Sequence, residues 1–177
     1  MRQIVYYVAI SLDGYISGPN DPMEGYVSEG SGLNQYMEDL KAFDTVIMGK
    51  NTYELGFRFG IEPGQLAYPH MEHYVFSESA SYPTTHPKMH VVPRDLSIIK
   101  ELREQDGSDI YLCGGSVFAG WLLNNKLIDV LKVKQSPVIF GAGLPLFSNV
   151  ERFVKLEMTD MQQHDHGMMI KTFKMDY

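Results

Sequence analysis

The stretch Ile110-Tyr111-Leu112-Cys113-Gly114-Gly115-Ser116-Val117-Phe118 decides the fold of this chain. Its first three residues, Ile110 to Leu112, are apolar and predict a buried strand. The pair Gly114-Gly115 then interrupts the strand, and a helix is predicted from Ser116 to Asn125 directly after it. A strand that runs through a glycine turn into a helix is half of the repeating unit of a parallel α/β sheet.

The chain before this stretch continues the same alternation of strands and helices. Ile4 to Ile10 is almost entirely apolar, which predicts a strand buried on both faces. Apolar residues at helical spacing predict a helix over Leu33 to Phe43, with Ser31 at the N-cap position. Further strands are predicted at Thr45 to Met48, His73 to Ser77 and Met89 to Val92, with a short helix after Lys50-Asn51-Thr52 and a longer one from Leu96 to Gln105.

Parallel neighbouring strands need a crossover connection, so this order predicts an α/β fold of three layers, with helices on both faces of a mixed, mostly parallel central sheet. From Val130 onward the pattern changes, and strands joined by turns predict that antiparallel C-terminal strands complete the sheet. These strands are predicted at Val130 to Val133, Val138 to Phe140, Arg152 to Met161 and Met168 to Phe173. No linker divides the chain, so residues 1–177 are expected to form a single domain.

Composition excludes several classes of protein. The net charge of -7 argues against a nucleic-acid partner, because binding to a phosphate backbone rests on clustered Lys and Arg. The one cysteine, Cys113, permits no disulfide within the chain and no multi-cysteine metal cluster. No apolar run approaches the roughly 20 residues of a membrane span, and the N-terminus does not have the pattern of a signal peptide. We therefore expect a cytoplasmic protein without a membrane partner.

Two glycine turns lie where a parallel sheet offers ligand sites. Ligands bind at the carboxyl ends of the strands, where helix N-termini present free N–H groups to anions. In Met48-Gly49-Lys50-Asn51-Thr52, Gly49 lets a phosphate approach, Lys50 supplies charge and Thr52 a hydroxyl. Gly114-Gly115 removes side chains at a second helix start. Each glycine turn alone could simply end a strand or allow close packing of two backbones. Their combination in one α/β frame favours a phosphate site.

Other chemistries find little support. Gly141-Ala142-Gly143 lacks the third glycine of the dinucleotide fingerprint, so it is predicted to be a turn that serves close packing or substrate contact. His164-Asp165-His166-Gly167 is interpreted as a hairpin turn rather than a metal site, and the other histidines lack the spacing of a zinc site. No Gly-x-Ser-x-Gly motif is present, and Cys113 beside a central strand is expected to be a buried, inert thiol.

Four stretches, in order, resemble the dihydrofolate-reductase-like superfamily, and within it the reductase domain of bacterial riboflavin biosynthesis (the RibD C-terminal domain) and its stand-alone relatives. The resemblance covers nearly the whole chain. The stretches are Val8-Ala9-Ile10-Ser11-Leu12-Asp13-Gly14-Tyr15-Ile16, Val46-Ile47-Met48-Gly49-Lys50-Asn51-Thr52-Tyr53-Glu54, Gly114-Gly115-Ser116 and Ser136-Pro137-Val138-Ile139-Phe140-Gly141-Ala142-Gly143-Leu144-Pro145-Leu146-Phe147.

The resemblance implies an NADPH-dependent reductase that transfers a hydride to a small pteridine-like or pyrimidine-like heterocycle. Gly49, Lys50 and Thr52 match the segment that holds the cofactor phosphates in such enzymes. Residues Gly114, Gly115, Ser116, Val117 and Phe118 match the second phosphate and nicotinamide contact. Ser77 and Ser79 match the region that touches the adenosine 2′-phosphate, although Glu78 between them weighs toward NADH.

The chain departs from its relatives at two positions. Gly32-Leu33-Asn34-Gln35 contains no counterpart of the carboxylate that binds the pterin in dihydrofolate reductases, and Cys113 replaces a glutamate that usually precedes the glycine pair. Asp13 is the remaining candidate for a catalytic carboxylate, with a turn residue that bonds its own backbone as the alternative. Tyr53 and Arg58 are candidate substrate contacts.

The missing acid also suits a catalytically inactive NADP(H)-binding sensor or accessory protein, which we keep as the alternative function. Relatives commonly pair, and the chain is rich in aromatic residues, so a homodimer is expected as well.

Overall fold

A computed structural model describes residues 1–20 and 23–177 of the chain. Eight strands form one sheet in the order β5-β4-β3-β6-β1-β7-β10-β9, and β2 pairs with β8 apart from it. The strands are β1 (Ile4–Ile10), β2 (Tyr15–Ser17), β3 (Thr45–Gly49), β4 (Glu72–Phe76), β5 (Met89–Val92), β6 (Ile110–Gly114), β7 (Val130–Gln135), β8 (Leu144–Pro145), β9 (Lys155–Gln163) and β10 (Met169–Asp176). The helices are α1 (Ser31–Leu40), α2 (Lys50–Leu55), α3 (Leu96–Glu104) and α4 (Ser116–Asn124).

The first six strands of the large sheet run parallel, and β10 and β9 are antiparallel to their neighbours. This is the predicted mixed α/β sheet. At its centre Tyr6 of β1 lies between Leu112 of β6 and Leu131 of β7. All three side chains are buried, because strands covered on both faces are apolar in every position rather than in alternate ones.

Alternate residues of β1 enter two different cores, which define the three layers. Ile4 and Tyr6 pack with α3 and α4 on one face of the sheet. Val5 and Tyr7 pack with α1 and α2 on the other face. The period-2 alternation of a strand thus joins both cores through one segment of chain.

The C-terminal half differs from prediction in one strand. Val138 to Phe140 does not form a strand, because the amides of this segment are bonded elsewhere: Phe140 N and Gly141 N donate to the carboxylate of Asp13 at 3.2 and 2.8 Å. Residues Leu144–Pro145 instead pair antiparallel with Tyr15–Ser17 as the short strands β8 and β2. The turn at 164–167 does connect the antiparallel hairpin β9–β10, as predicted.

The N-cap assigned to Ser31 is wrong. Helix α1 starts at Ser31 itself, and the N-cap residue is Gly30, which has no side chain to cap it. The Ser31 hydroxyl accepts from Asp165 N at 3.1 Å and Asp165 Oδ2 accepts from Ser31 N at 2.9 Å, so this end of the helix is fastened to the β9–β10 turn. A contact between residues 134 positions apart has no signature in local sequence.

Gly120 in α4 marks a close approach of two backbones. A Cβ atom at this position would lie 1.9 Å from the carbonyl oxygen of Ser148. The residue is buried, so the segment at Ser148 packs directly on the helix backbone.

We expect Gly120→Ala to lower the free energy of unfolding by about 2 kcal/mol, because the overpacked backbone contact outweighs the better helix propensity of alanine. Chemical denaturation measures it. Gly60→Ala is the matched control, since Gly60 has φ +86° but no atom within 4 Å of its Cβ position; left-handed strain alone costs about 1 kcal/mol. An unchanged or raised stability for Gly120→Ala would contradict the close packing.

Candidate functional site

A cleft of about 930 Å³ opens at the carboxyl edge of the parallel strands. Strands β1, β3, β4 and β6 all end at its wall, and β2 and β8 contribute Ile16, Ser17 and Leu144 to its rim. Its size suits a dinucleotide together with a small second ligand, since small-molecule pockets span roughly 300–1,000 Å³.

The two predicted glycine turns lie against each other at the wall of this cleft. A Cβ atom on Gly115 would lie 2.8 Å from the Thr52 hydroxyl, and one on Gly49 would lie 3.4 Å from Cβ of Phe118. Gly114 adopts φ +131°, which favours glycine, and lies beside Thr52 without lining the cleft. Side chains at these glycines would therefore fill the space between the turns.

The surroundings of the glycine turns fit a phosphate. The first N–H groups of a helix have no intrahelical partner, and Ser116 and Val117 place those of the nine-residue helix α4 at the cleft wall. Lys50 also lines the cleft, with its Nζ 3.8 Å from Glu54 Oε1 and its side chain 35% exposed. The Ser116 hydroxyl lies 2.6 Å from that of Ser148.

The far end of the cleft lies between the ends of β4 and β5. Ser77 lines it, and its hydroxyl oxygen accepts from Ser79 N and Ala80 N at 3.1 and 2.9 Å, which leaves its hydrogen for another acceptor. Ser79 itself stays outside the cleft lining. Arg94 lines this end, with its guanidinium 5.9 Å from the Trp121 ring centre. Sequence reasoning missed Arg94, although its place just after a strand was an available signal.

The opposite end of the cleft is lined by tyrosines. Its wall contains Tyr7, Tyr36, Tyr68, Tyr111 and Cys113. The hydroxyls of Tyr36 and Tyr111 are 2.8 Å apart, and that of Tyr68 is 3.6 Å from the sulfur of Cys113. Burial raises the pKa of the Cys113 thiol, which keeps it in the poorly nucleophilic thiol form. Local pattern marked these tyrosines only as apolar, and the fold brings them together.

Asp13, the predicted catalytic residue, also lies outside the cleft lining. Its carboxylate accepts from the Ser11 hydroxyl at 2.6 Å and from the amides of Phe140 and Gly141. These bonds, that of Ser11 foremost, hold its pKa below the usual range. The contacts are those of a turn residue that bonds backbone, and they tie the 140–141 segment to the end of β1.

The two predicted substrate contacts differ in position. Tyr53 lines the cleft, but its hydroxyl donates to Gln65 O and accepts from Gly64 N, both at 2.8 Å, and so anchors the loop that follows α2. Arg58 lies in a short 3-10 helix, Gly56–Phe59, outside the cleft lining.

A buried histidine positions the tyrosine-lined end. His73 is fully buried in β4; its Nε2 accepts from Tyr68 N at 3.1 Å while Nδ1 lies 3.0 Å from Met71 O. With Nδ1 as the donor, only a neutral imidazole satisfies both bonds. Burial lowers the pKa of His73 from its ordinary value of 6.5 to about 4.

This depressed pKa predicts a loss of stability in mild acid. Between pH 6.5 and pH 4 the unfolded chain binds a proton at His73, whereas His73 in the folded chain stays neutral. The contribution of neutral His73 is therefore complete above pH 6.5 and is lost as the pH falls, by roughly 2–3 kcal/mol in all. We expect the free energy of unfolding of His73→Gln to fall less steeply with pH than that of the wild type. Parallel profiles from denaturant titrations between pH 7 and pH 4 would contradict this.

A metal cluster and a membrane-spanning helix are both absent from the described residues. Among residues 1–20 and 23–177 no group of three or more His, Cys, Asp or Glu side chains is placed to hold a metal ion. In the same residues no helix has the length and apolar character to cross a bilayer.

Comparison with known proteins identifies the class to which this fold and cleft belong. The RibD C-terminal domain model matches residues 2–170. The chain is 29% identical over 175 residues to Uncharacterized protein YwjB of Bacillus subtilis (strain 168), covering 96% of both chains. The protein is therefore a member of the RibD C-terminal domain family.

Two solved structures show the same fold. A protein from Shewanella sp. PV-4, named provisionally as a riboflavin biosynthesis protein, superposes with a TM-score of 0.79 at 23% identity over 99% of each chain. Dihydrofolate reductase from Enterococcus faecalis, complexed with NADP(H), gives a TM-score of 0.68 at 18% identity, covering 99% of this chain and 97% of its own. The fold is that of the dihydrofolate-reductase-like superfamily, as the sequence motifs predict.

Proposed function

We propose that the protein is an NADPH-dependent reductase that transfers a hydride to a small, flat heterocycle of the pteridine or pyrimidine type. The observation that carries the proposal is the cleft itself, in which the two adjoining glycine turns at Gly49 and Gly115 line the wall between a cationic end and a tyrosine-lined end. Membership of the RibD C-terminal domain family supports a reductase. The NADP(H) bound to the Enterococcus enzyme of the same fold supports the cofactor.

In this proposal the residues of the chain bind and orient the cofactor and the substrate. The turns at Gly49 and Gly115 hold the pyrophosphate, with charge from Lys50 and a hydroxyl from Thr52. Phe118 and Val117 border the nicotinamide position, and the aromatic walls exclude water from the substrate end. NADPH, when bound, supplies the hydride. The main task of the protein is then binding and orientation, since the cofactor carries the difficult step.

Arg94 is the reason for preferring NADPH to NADH. Ser77 keeps a hydroxyl hydrogen and Arg94 supplies a cation at the same end of the cleft, a donor set that suits a phosphate. Glu78 also lines this end, but one of its carboxylate oxygens accepts from the backbone N of Arg94 at 2.8 Å. The acid that weighed toward NADH is thus engaged in holding the turn that carries Arg94.

Titrations of cofactor fluorescence test the site. We expect Lys50→Ala to raise the Kd of both NADPH and NADH roughly tenfold, because the lost contact is to the shared pyrophosphate and is worth about 1.4 kcal/mol. Arg94→Ala should raise the Kd of NADPH by a similar factor and leave that of NADH unchanged. Lys100→Ala, an exposed lysine of α3 outside the cleft lining, is the control and should change neither.

Turnover separates the outcomes of this test. NADPH binding together with loss of nicotinamide absorbance, on addition of dihydrofolate or a pyrimidine substrate, supports the reductase. Binding without turnover favours an NADP(H)-binding sensor, the function suited to a site with no acid at the usual helix position. Failure of NADPH to bind would overturn both.

We also propose that two copies of the chain pair through β9. All nine residues of this edge strand are exposed, and Leu156, Met158 and Met161 are about half exposed. An edge strand with apolar side chains and unpaired backbone groups is a template for pairing with another chain.

Light scattering tests the pairing. We expect a particle of twice the 20.1 kDa chain mass, and Met158→Asp should return it to a single chain because a carboxylate would be buried at the interface. Met37→Asp introduces the same charge at a methionine of α1 that is exposed to the same extent and should leave the pair intact. A 20.1 kDa wild-type particle would contradict the proposal.

A further inference from the structure

The substrate end of the cleft contains donor groups in place of a carboxylate. Three tyrosine hydroxyls and one thiol, those of Tyr36, Tyr68, Tyr111 and Cys113, lie within contact of one another. We name this group the hydroxyl cluster. Reduction of a double bond between carbon and a heteroatom requires a proton as well as a hydride, and a side chain at this end or a water molecule must supply it.

The hydroxyl cluster can donate hydrogen bonds to a ligand. The four groups carry four hydrogens, and their hydrogen bonds are to one another, within the Tyr36–Tyr111 and Tyr68–Cys113 pairs and between the pairs. No carboxylate or carbonyl oxygen of the described residues accepts a hydrogen bond from these four groups. A ligand acceptor in the cleft can therefore take a hydrogen from the cluster without displacing a carboxylate or a carbonyl.

Tyr36 is the best placed of the three tyrosines to release its proton. All three line the cleft, but Tyr111 is almost fully buried, whereas Tyr36 and Tyr68 are only partly buried. The Nζ of Lys134 lies 4.3 Å from the centre of the Tyr36 ring, and a cation there stabilises the phenolate that proton release creates. Burial raises the pKa of Tyr36 to about 12, so the hydroxyl is protonated at neutral pH.

The surroundings of Tyr36 hold its ring in one place. Tyr7 packs edge-on against it with ring centres 4.9 Å apart. Nearby, Asp39 Oδ2 is bonded to Lys132 Nζ at 2.6 Å and to the Tyr7 hydroxyl at 3.1 Å. This carboxylate and this ammonium therefore pair with each other and not with Tyr36. Lys134 is thus the charged group that faces the Tyr36 ring among the described residues.

We infer that Tyr36 is the proton donor of the reaction, with Tyr111 as its hydrogen-bonded partner; this rests on the proposed reductase function. The substrate carbon accepts a hydride from the reduced nicotinamide, and the electron pair of its double bond moves to the adjacent oxygen or nitrogen. That atom takes the proton of the Tyr36 hydroxyl, whose O–H bond breaks. Water in the cleft returns a proton to the Tyr36 phenolate, so the net reaction consumes one hydride and one proton.

Tyr36→Phe tests the inference, because it keeps the ring and removes the hydroxyl. With dihydrofolate or a pyrimidine substrate that the wild type reduces, we expect kcat to fall at least 100-fold, within the range for loss of a general acid or base. The Kd of NADPH should stay within twofold. Tyr177→Phe is the matched control: it removes a hydroxyl that donates to Ile128 O at 2.7 Å, outside the cleft lining, and should leave kcat unchanged.

Binding of lumazine, a pteridine with two carbonyl oxygens, gives a readout that does not depend on turnover. A donor-lined end should bind lumazine at least tenfold more tightly than 2,4-diaminopteridine, in which amino groups replace both carbonyls. Tyr36→Phe should weaken lumazine binding to the NADPH-loaded protein about tenfold, the loss expected for one hydrogen bond.

The outcomes separate this inference from the proposed function. Equal kcat or equal lumazine affinity in wild type and Tyr36→Phe overturns the inference while the reductase stands. Failure of the NADPH-loaded wild type to bind lumazine, or a preference for the diamino compound, also overturns it. Failure of the wild type to bind NADPH overturns the proposed function first. A fold-change confined to Tyr36→Phe supports Tyr36 as the donor.

Discussion

Burial of β1 and β6 on both faces is the constraint on which the rest of the structure depends. Tyr6 and Tyr7 are consecutive and fully buried, each in a different core. A strand with no solvent-facing side must be covered by helices above and below, and parallel neighbours require that those helices lie in the crossovers. The carboxyl ends of β1, β3, β4 and β6 then meet at one edge, where the chain turns away from the sheet and leaves the cleft.

Much of this architecture could be predicted from local pattern. The apolar run Ile4 to Ile10 became β1 without a change of bounds, and the elements on either side of Gly114-Gly115 appear where strand and helix signals predicted them. Prediction failed where a distant group decided the local structure. The amides of Phe140 and Gly141 bond Asp13 instead of a neighbouring strand, and the start of α1 is set by Asp165.

The residues of the cleft also fall into those that the sequence predicted and those that it did not. Gly49, Lys50 and Gly115 could be predicted to share a site because glycine turns after parallel strands reach the same sheet edge. Arg94 and Tyr36 could not, since a lone arginine after a strand and a tyrosine on an apolar helix face have ordinary explanations. Tyr36 meets Tyr111 across 75 positions of sequence, and only the order of the strands brings them together. Sequence motifs do not predict a group of side chains that only the strand order brings together.

The position of Cys113 has a practical consequence. It is the sole sulfhydryl of the chain and it lines the cleft beside Tyr68. Any covalent label carried by a thiol reagent therefore marks one known place, without removal of competing cysteines. Because the thiol is only partly exposed in the wall, its rate of labelling depends on what fills the cleft. The native chain thus contains its own reporter of ligand occupancy.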